Sequence, residues 1–354
     1  MPAVPLGSLV LVTGASGFIA VHTIKTFLEN GYPVRGTVRS HAKGEYLADL
    51  FKGSKVPFEY VIVEDIAQPG AFDEAVKGVA GVAHTASPFH FRVNDPQQLI
   101  EPAVKGTLGV LESIQRNNPD VKRIVITSSC ASIMDDAAPK PHVRTEKGTQ
   151  AFLTPSNARL ERDVAQGGRG RKGRDAMPID MYRASKTLAE RAFWKFIDEK
   201  KTSWDGATIC PPMVYGPILQ QVSSTSGLNT SNASLLDWLT GNKKQSDIPG
   251  GRALQLGRFA LAHVRALTVP EAGGERFIVG AGPGSPNDLV LSFERHFPDR
   301  KTYPKGDALK VEAINAQSNR YDGSKAERIL GIKYHDIDMS VKDTVESLIT
   351  RLGV

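Results

Sequence analysis

Tyr182 and Lys186 stand four residues apart, so in a helix they share one face. A phenol ordinarily ionises near pH 10, and a neighbouring ammonium favours the phenolate. Such a pair can hold and pass on a proton near neutrality, which a lone tyrosine does poorly. The spacing alone is a weak signal. Tyr321 and Lys325 repeat it, but with Asp322-Gly323 inside the pair, near the C-terminus and behind no nucleotide-type strand. Tyr182 differs in its surroundings. An apolar run at 123–127 ends in Ser128-Ser129 upstream, and another run at 207–210 follows. Parallel sheets bind ligands at the carboxyl ends of their strands, so Ser129 and Tyr182 can meet there.

The elements that must position these groups begin at residues 9–12, an apolar run short enough for a fully buried strand. Gly14, Gly17 and Ala20 follow at the spacing Gly-x-x-Gly-x-x-Ala, and a helix is expected from this turn to about residue 29. Small residues there permit a tight turn, close approach of a pyrophosphate and close helix–strand packing. The helix N-terminus offers free N–H groups to phosphate. An ordinary Gly-rich turn would share the glycines. The strand before, the helix after and a second strand at 34–38 supply the context of a dinucleotide site.

Strand and helix signals go on alternating, which predicts an α/β fold: a Rossmann-type, doubly wound parallel sheet. The second strand ends without an acid between residues 34 and 42, where an NAD site places one for the ribose 2′-hydroxyl. Arg39 stands there, with Ser40 and Lys43 behind it. A guanidinium suits a 2′-phosphate, so NADP(H) is the expected cofactor. Further strands are expected at 60–63 and 79–86, and a long helix at 96–115. Asp65, behind the third strand, faces the crevice; it could meet the adenine or simply cap a turn. His84 reads as a hydrogen-bonded core residue. Gly106 and Gly109 suggest close approach of the cofactor or a neighbouring helix.

Residues 135–178 lack periodicity, and 159–174 are strongly basic without aromatics. This reads as a flexible inserted loop rather than a nucleic-acid surface. The helix bearing Tyr182 should open near that residue and reach 198. Residues 222–310 should form a smaller C-terminal substrate-binding lobe, and 341–352 a terminal helix with Ser340 as its N-cap. The expected division is 1–212 for NADP binding and 213–354 mainly for substrate, partly interleaved.

Composition excludes other classes. Of 354 residues, 40% are hydrophobic and 23% charged, with a net charge of +6; this is ordinary globular chemistry. No apolar run suffices to span a membrane, and the N-terminus has no signal-peptide pattern. Cys130 and Cys210, the two cysteines, make neither a disulfide framework nor a metal cluster. A cytoplasmic protein, monomeric or homodimeric, acting on a small molecule without membrane, nucleic acid or metal, is the expectation.

Several segments together carry a resemblance. They are Thr13-Gly14-Ala15-Ser16-Gly17-Phe18-Ile19-Ala20, Thr85-Ala86-Ser87-Pro88-Phe89, Thr127-Ser128-Ser129, Tyr182-Arg183-Ala184-Ser185-Lys186 and Val214-Tyr215-Gly216-Pro217. Weaker likeness runs through Leu228-Asn229-Thr230-Ser231. The chain resembles the extended short-chain dehydrogenases/reductases, in the dihydroflavonol 4-reductase-like branch with its fungal carbonyl reductases, methylglyoxal reductases among them. The resemblance implies a catalytic Ser129, Tyr182 and Lys186. Tyr182 would be the general acid for carbonyl reduction, Lys186 would tune it and hold the nicotinamide ribose, and Ser129 would bind the substrate oxygen. It implies cofactor contacts from Gly14, Ser16, Gly17, Phe18, Ile19, Asp65, Ile66, Thr85, Ala86, Ser87, Pro211 and Val214, beside Arg39 and Lys43. Phe89, Cys130 and Met213 would line an apolar substrate pocket. The branch usually carries Val-x-Val-Arg-Asp where Leu256-Gly257-Arg258-Phe259-Ala260 stands. An epimerase or hydroxysteroid dehydrogenase on the same fold, or a non-catalytic NADP(H) sensor, are the rivals. The missing acid opposes the epimerase, and the complete Ser/Tyr/Lys set opposes the sensor.

Overall fold

The first strand, β1 (Val10–Thr13), is buried at every residue, as apolar β-formers should be when both sheet faces are covered. The computed structural model describes residues 3–88, 95–134, 142–146, 178–244, 246, 259–280, 284–318, 320–334 and 337–354. After β1 come α1 (Phe18–Glu29), β2 (Val34–Val38), α2 (His41–Phe51), β3 (Phe58–Ile62), β4 (Gly81–His84), α3 (Gln97–Asn117) and β5 (Arg123–Thr127). The chain continues through β6 (Val143–Arg144), α4 (Pro178–Lys200), β7 (Asp205–Cys210), α5 (Thr230–Leu239), α6 (Phe259–Thr268) and β8 (Arg276–Ile278). It ends with α7 (Pro286–His296), α8 (Val311–Ala316), β9 (Arg320–Tyr321), α9 (Ser324–Leu330) and α10 (Ile337–Leu352).

Seven strands form one parallel sheet in the order β3-β2-β1-β4-β5-β7-β8. The chain winds outward in both directions from β1 and β4, so the crevice at their carboxyl ends is the ligand position of a doubly wound sheet. Alternate residues face opposite layers. Val10 and Val12 join Val21, Ile24, Phe27, Ala262 and Leu267, so α1 and α6 cover one face. Leu11 joins Val110, Ile114, Phe193 and Phe196, so α3 and α4 cover the other. A separate core of Leu235, Trp238, Leu289, Phe293, Val341 and Val345 joins α5, α7 and α10 into a smaller lobe.

Several expectations shift. β3 begins at Phe58 and ends at Ile62; as an edge strand, paired only with β2, it is incompletely buried and its apolar signal is diluted. α4 opens at Pro178 rather than near Tyr182, using a proline at a first-turn position that needs no N–H. Ser340 lies inside α10, not at its cap; its carbonyl accepts from Thr344 Oγ1 at 2.6 Å. Residues 222–310 contribute β8 to the main sheet, paired with β7, as well as lobe helices. Within 135–178, β6 pairs in parallel with β9, and Glu146 Oε1 accepts from Ile278 N at 3.0 Å. The basic stretch 159–174, Phe89 and residues 256–258 lie outside the described residues. No helix among the described residues is long and apolar enough to cross a membrane.

Candidate active site

Gly14 directly follows β1 with φ +65°, and a Cβ there would stand 3.0 Å from Ala86 Cα. The turn needs glycine for both its backbone and its neighbour. It is anchored to β2, since Gly14 N donates to Thr37 Oγ1 at 3.0 Å and Ala15 N to Thr37 O at 2.8 Å. Gly17 caps α1 without a side-chain hydrogen bond, and no acid occupies the first turn. That helix end therefore presents its N–H groups to an anion. Thr13 fixes the far wall. Its Oγ1 accepts from Thr85 N and Ala86 N, both at 3.1 Å, so its own hydrogen goes to His84 Nδ1 at 2.9 Å. His84 is buried and neutral, with its pKa pushed down to about 3 by burial; its part is structural.

A cleft of about 300 Å³ opens between these turns and the ends of β5 and β7. Gly14, Gly17, Phe18, Ile19, Thr85, Ser87, Ser129, Tyr182, Lys186, Pro211, Met213 and Val214 all line it. Thr127, Asn229 and Ser231, whose residue types alone assign them no role, line it too. The latter two open α5, and the weaker likeness through Leu228-Asn229-Thr230-Ser231 is the signal that could have found them. A smaller chamber of about 70 Å³ shares Ser129, Tyr182 and Met213 and adds Cys130, Met134, Ile179 and Tyr321. Tyr321 therefore has a place at the site although its own Tyr-x-x-x-Lys spacing does not; Lys325 is taken up in an ion pair with Glu275.

The remaining expected residues fall outside the cleft lining. Arg39 is exposed and Lys43 half-buried beyond β2, and Asp65 is exposed beyond β3. Asp65 Oδ1 accepts from Ala67 N at 2.9 Å. That bond, with Gln68 and more weakly Arg39, holds its carboxyl below the usual range. Ile66 explains Gly106, where a Cβ would come within 2.8 Å of Ile66 Cδ1; the close approach is to this loop. Ser16 sits half-buried in the turn, and Ala86 backs Gly14.

Ser129 follows β5 by two residues and caps a short 3₁₀ turn, its Oγ accepting from Ala131 N at 3.1 Å. Its hydroxyl hydrogen thus remains available as a donor. Lys186 donates to Thr127 O at 3.1 Å. Burial pulls its ammonium down to about 8, against the opposing pull of Cys210 and Glu190. Behind it, His263 Nδ1 lies 3.1 Å from Phe259 O and Nε2 lies 2.8 Å from Thr127 Oγ1. Donation from Nδ1 leaves Nε2 to accept from Thr127. Cys130 Sγ donates to Cys210 O at 3.3 Å, and burial pushes its thiol well up, so it is a soft wall rather than a nucleophile. A larger groove, about 660 Å³ between α3 and α4, carries no such convergence of polar groups.

A family model described as the NAD dependent epimerase/dehydratase family matches residues 10–158. The ketoreductase azaE of Aspergillus niger is 36% identical, over 97% of this chain and 99% of its own length. The putative NADPH-dependent methylglyoxal reductase GRP2 of Candida albicans is 34% identical, over 96% of this chain and 98% of its own. Among solved structures, yeast methylglyoxal/isovaleraldehyde reductase Gre2 complexed with NADPH superposes with TM-score 0.83 at 28% identity, covering 97% of this chain and all of that one.

Proposed function

The chain belongs to the NAD dependent epimerase/dehydratase family, the extended short-chain dehydrogenases/reductases, and on that premise we propose the chemistry of its site. It is an NADPH-dependent carbonyl reductase, converting an aldehyde or ketone to an alcohol. The observation that carries the reading is the convergence of Ser129, Tyr182 and Lys186 in the cleft that begins at the uncapped α1 turn. Relatives that match nearly end to end are named as a ketoreductase and a putative NADPH-dependent methylglyoxal reductase.

The residues present fit the cofactor. The Gly14 turn leaves no room for a side chain, the α1 N-terminus is open to a pyrophosphate, and Pro211 and Val214 wall the inner end. Arg39, with Lys43, would hold the 2′-phosphate, and Asp65 and Ile66 would flank the adenine. NADPH, when bound, supplies the hydride. Tyr182 then gives its phenolic proton to the oxygen that becomes the alcohol. Lys186 keeps that phenol ready by favouring its ionised form and holds the ribose. Ser129 donates its free hydroxyl hydrogen to the same substrate oxygen, placing it beside Tyr182. Met213, Cys130 and Tyr321 offer no charge to a substrate, so the pocket suits apolar carbonyl compounds.

The test is NADPH consumption with an aryl ketone, a short aliphatic aldehyde and a 2-keto acid. The aryl ketone should have the lowest KM, since burying apolar surface contributes about 25 cal/mol per Å². A 2-keto acid as best substrate by kcat/KM would overturn the apolar pocket, and no consumption with any carbonyl compound would overturn the reductase.

A further inference from the structure

One fully buried charge has no part in that chemistry. Glu190 lies on α4 one turn after Lys186 and is 1% exposed. Arg276 of β8 grips its carboxylate, with Nε 2.6 Å from Oε1 and Nη2 2.8 Å from Oε2. Ser128 Oγ donates to Oε2, and Thr208 Oγ1 donates to Oε1 at 3.1 Å. Ser132 Oγ accepts from Arg276 Nη2 at 2.8 Å and stands 3.0 Å from Oε2. Its single hydrogen is best placed on the carbonyl of Ser129, 2.7 Å away. One carboxylate thus ties together α4, the end of β5, β7 and β8. Ser128, bonded to the carboxylate, and Ser132, bonded to Arg276, stand on either side of Ser129 in the chain.

A buried ion pair is poor evidence for stability, because apolar residues of similar volume often do as well. This pair does something an apolar pair could not. It supplies charge-assisted, directional bonds to the loop that carries Ser129 and to the helix that carries Tyr182 and Lys186. We propose that Glu190, gripped by Arg276, is a positioning residue for carbonyl reduction, fixing Ser129 through Ser128 and Ser132 and standing one helical turn from Lys186. The proposal rests on the reductase reading. Among the described residues, the titratable groups around Lys186 are Tyr182 and Glu190 on α4, Cys210 on β7, His84 on β4, His263 on α6 behind Thr127 and, behind Glu190, Arg276 on β8. Burial keeps His84 and His263 neutral and pushes the Cys210 thiol up to about 12, so among the described residues Glu190 is the anion that supports the ammonium.

The experiment compares wild type, Glu190→Gln, Ser132→Ala and the double variant Glu190→Leu/Arg276→Met. In Glu190→Gln, kcat should fall roughly ten- to hundred-fold while NADPH binding is retained. The alkaline fall-off of kcat, which follows loss of the Tyr182 proton, should move about half a pH unit or more higher, because Lys186 loses the anion that favours its charged form and so favours the phenolate less. The double variant should regain the melting temperature that Glu190→Gln loses, yet keep the low kcat and shifted profile. Ser132→Ala, which keeps the ion pair, should lower kcat without moving the profile. A turnover-free readout stands beside these: the phenolate absorbance of Tyr182, isolated by subtracting the Tyr182→Phe protein. It should appear at higher pH in both Glu190 variants, since Glu190 is about 12 Å along the helix from Tyr182 and acts through Lys186. An active wild type with a double variant that matches it in kcat, pH profile and phenolate titration would overturn the clamp. A wild type inactive on every carbonyl compound would overturn the reductase reading, and the phenolate titration would still decide whether Glu190 supports Lys186.

Discussion

Lys186→Met should make the cofactor-free protein more stable and nearly inactive at once. The ordinary lysine value of 10.5 and the folded value of about 8 differ by about 2.5. At about 1.36 kcal/mol per pH unit, burying the ammonium costs about 3 kcal/mol. The sign follows from proton counting. Folded Lys186 binds its proton more weakly than the unfolded chain does. Between about pH 8 and 10.5 the unfolded state therefore holds more protons, and stability rises with pH across that window. Below it the whole cost is present. Methionine removes the charge but forfeits the hydrogen bond to Thr127 O, worth about 1 kcal/mol. The net gain near neutrality is about 2 kcal/mol, or a few degrees in melting temperature. Thermal melts of both proteins without cofactor, near neutrality and above pH 10, check this. The variant should melt higher near neutrality, and the gap should close or reverse at the higher pH, while kcat falls at least about a hundred-fold. A variant that melts lower near neutrality, or a gap indifferent to pH, would refute the reasoning.

Arg39→Glu should move preference from NADPH toward NADH, because a carboxylate repels a 2′-phosphate and accepts from a 2′-hydroxyl; kcat/KM for both cofactors checks it, and an unchanged ratio would remove Arg39 from the site. Gly14→Ala should weaken NADPH binding roughly ten-fold. It forces a side chain into φ +65° against Ala86, at a backbone cost of about 1–2 kcal/mol. Gly7→Ala is the control, with φ +80° and nothing within 4 Å of its Cβ; it should lose stability but no affinity.

The elements around the first turn were legible because each carries its own punctuation. β2 and β5 occur over the expected residues, and α1 ends at Glu29 as its periodicity implies. Glycine spacing, an apolar run and the absent acid were all local signals. The carboxyl-end rule placed Ser129 and Tyr182 in one cleft without any contact information. What escaped was short or long-range. β8 has three residues, one of them Arg276, whose charge hides a fully buried strand until its partner Glu190 is seen. β6 and β9 have two residues each and exist through pairing 177 positions apart (Val143 with Arg320). Ser340 looked like a cap because serine favours that position, but Ile337 packs with the lobe core and draws the helix a turn earlier. The chain from Lys186 through Thr127 to His263 joins residues whose types say nothing of one another.

Tyr182→Phe tests the central claim most directly, because it removes one oxygen and its transferable proton while leaving the ring. Steady-state NADPH consumption with the best carbonyl substrate should fall by about 10²–10⁴-fold, the worth of a general acid, and NADPH should bind as it does to wild type. A variant that keeps near-normal kcat would contradict the account, since the proton would then come from elsewhere and the Ser129, Tyr182 and Lys186 cleft would not be where the carbonyl is reduced.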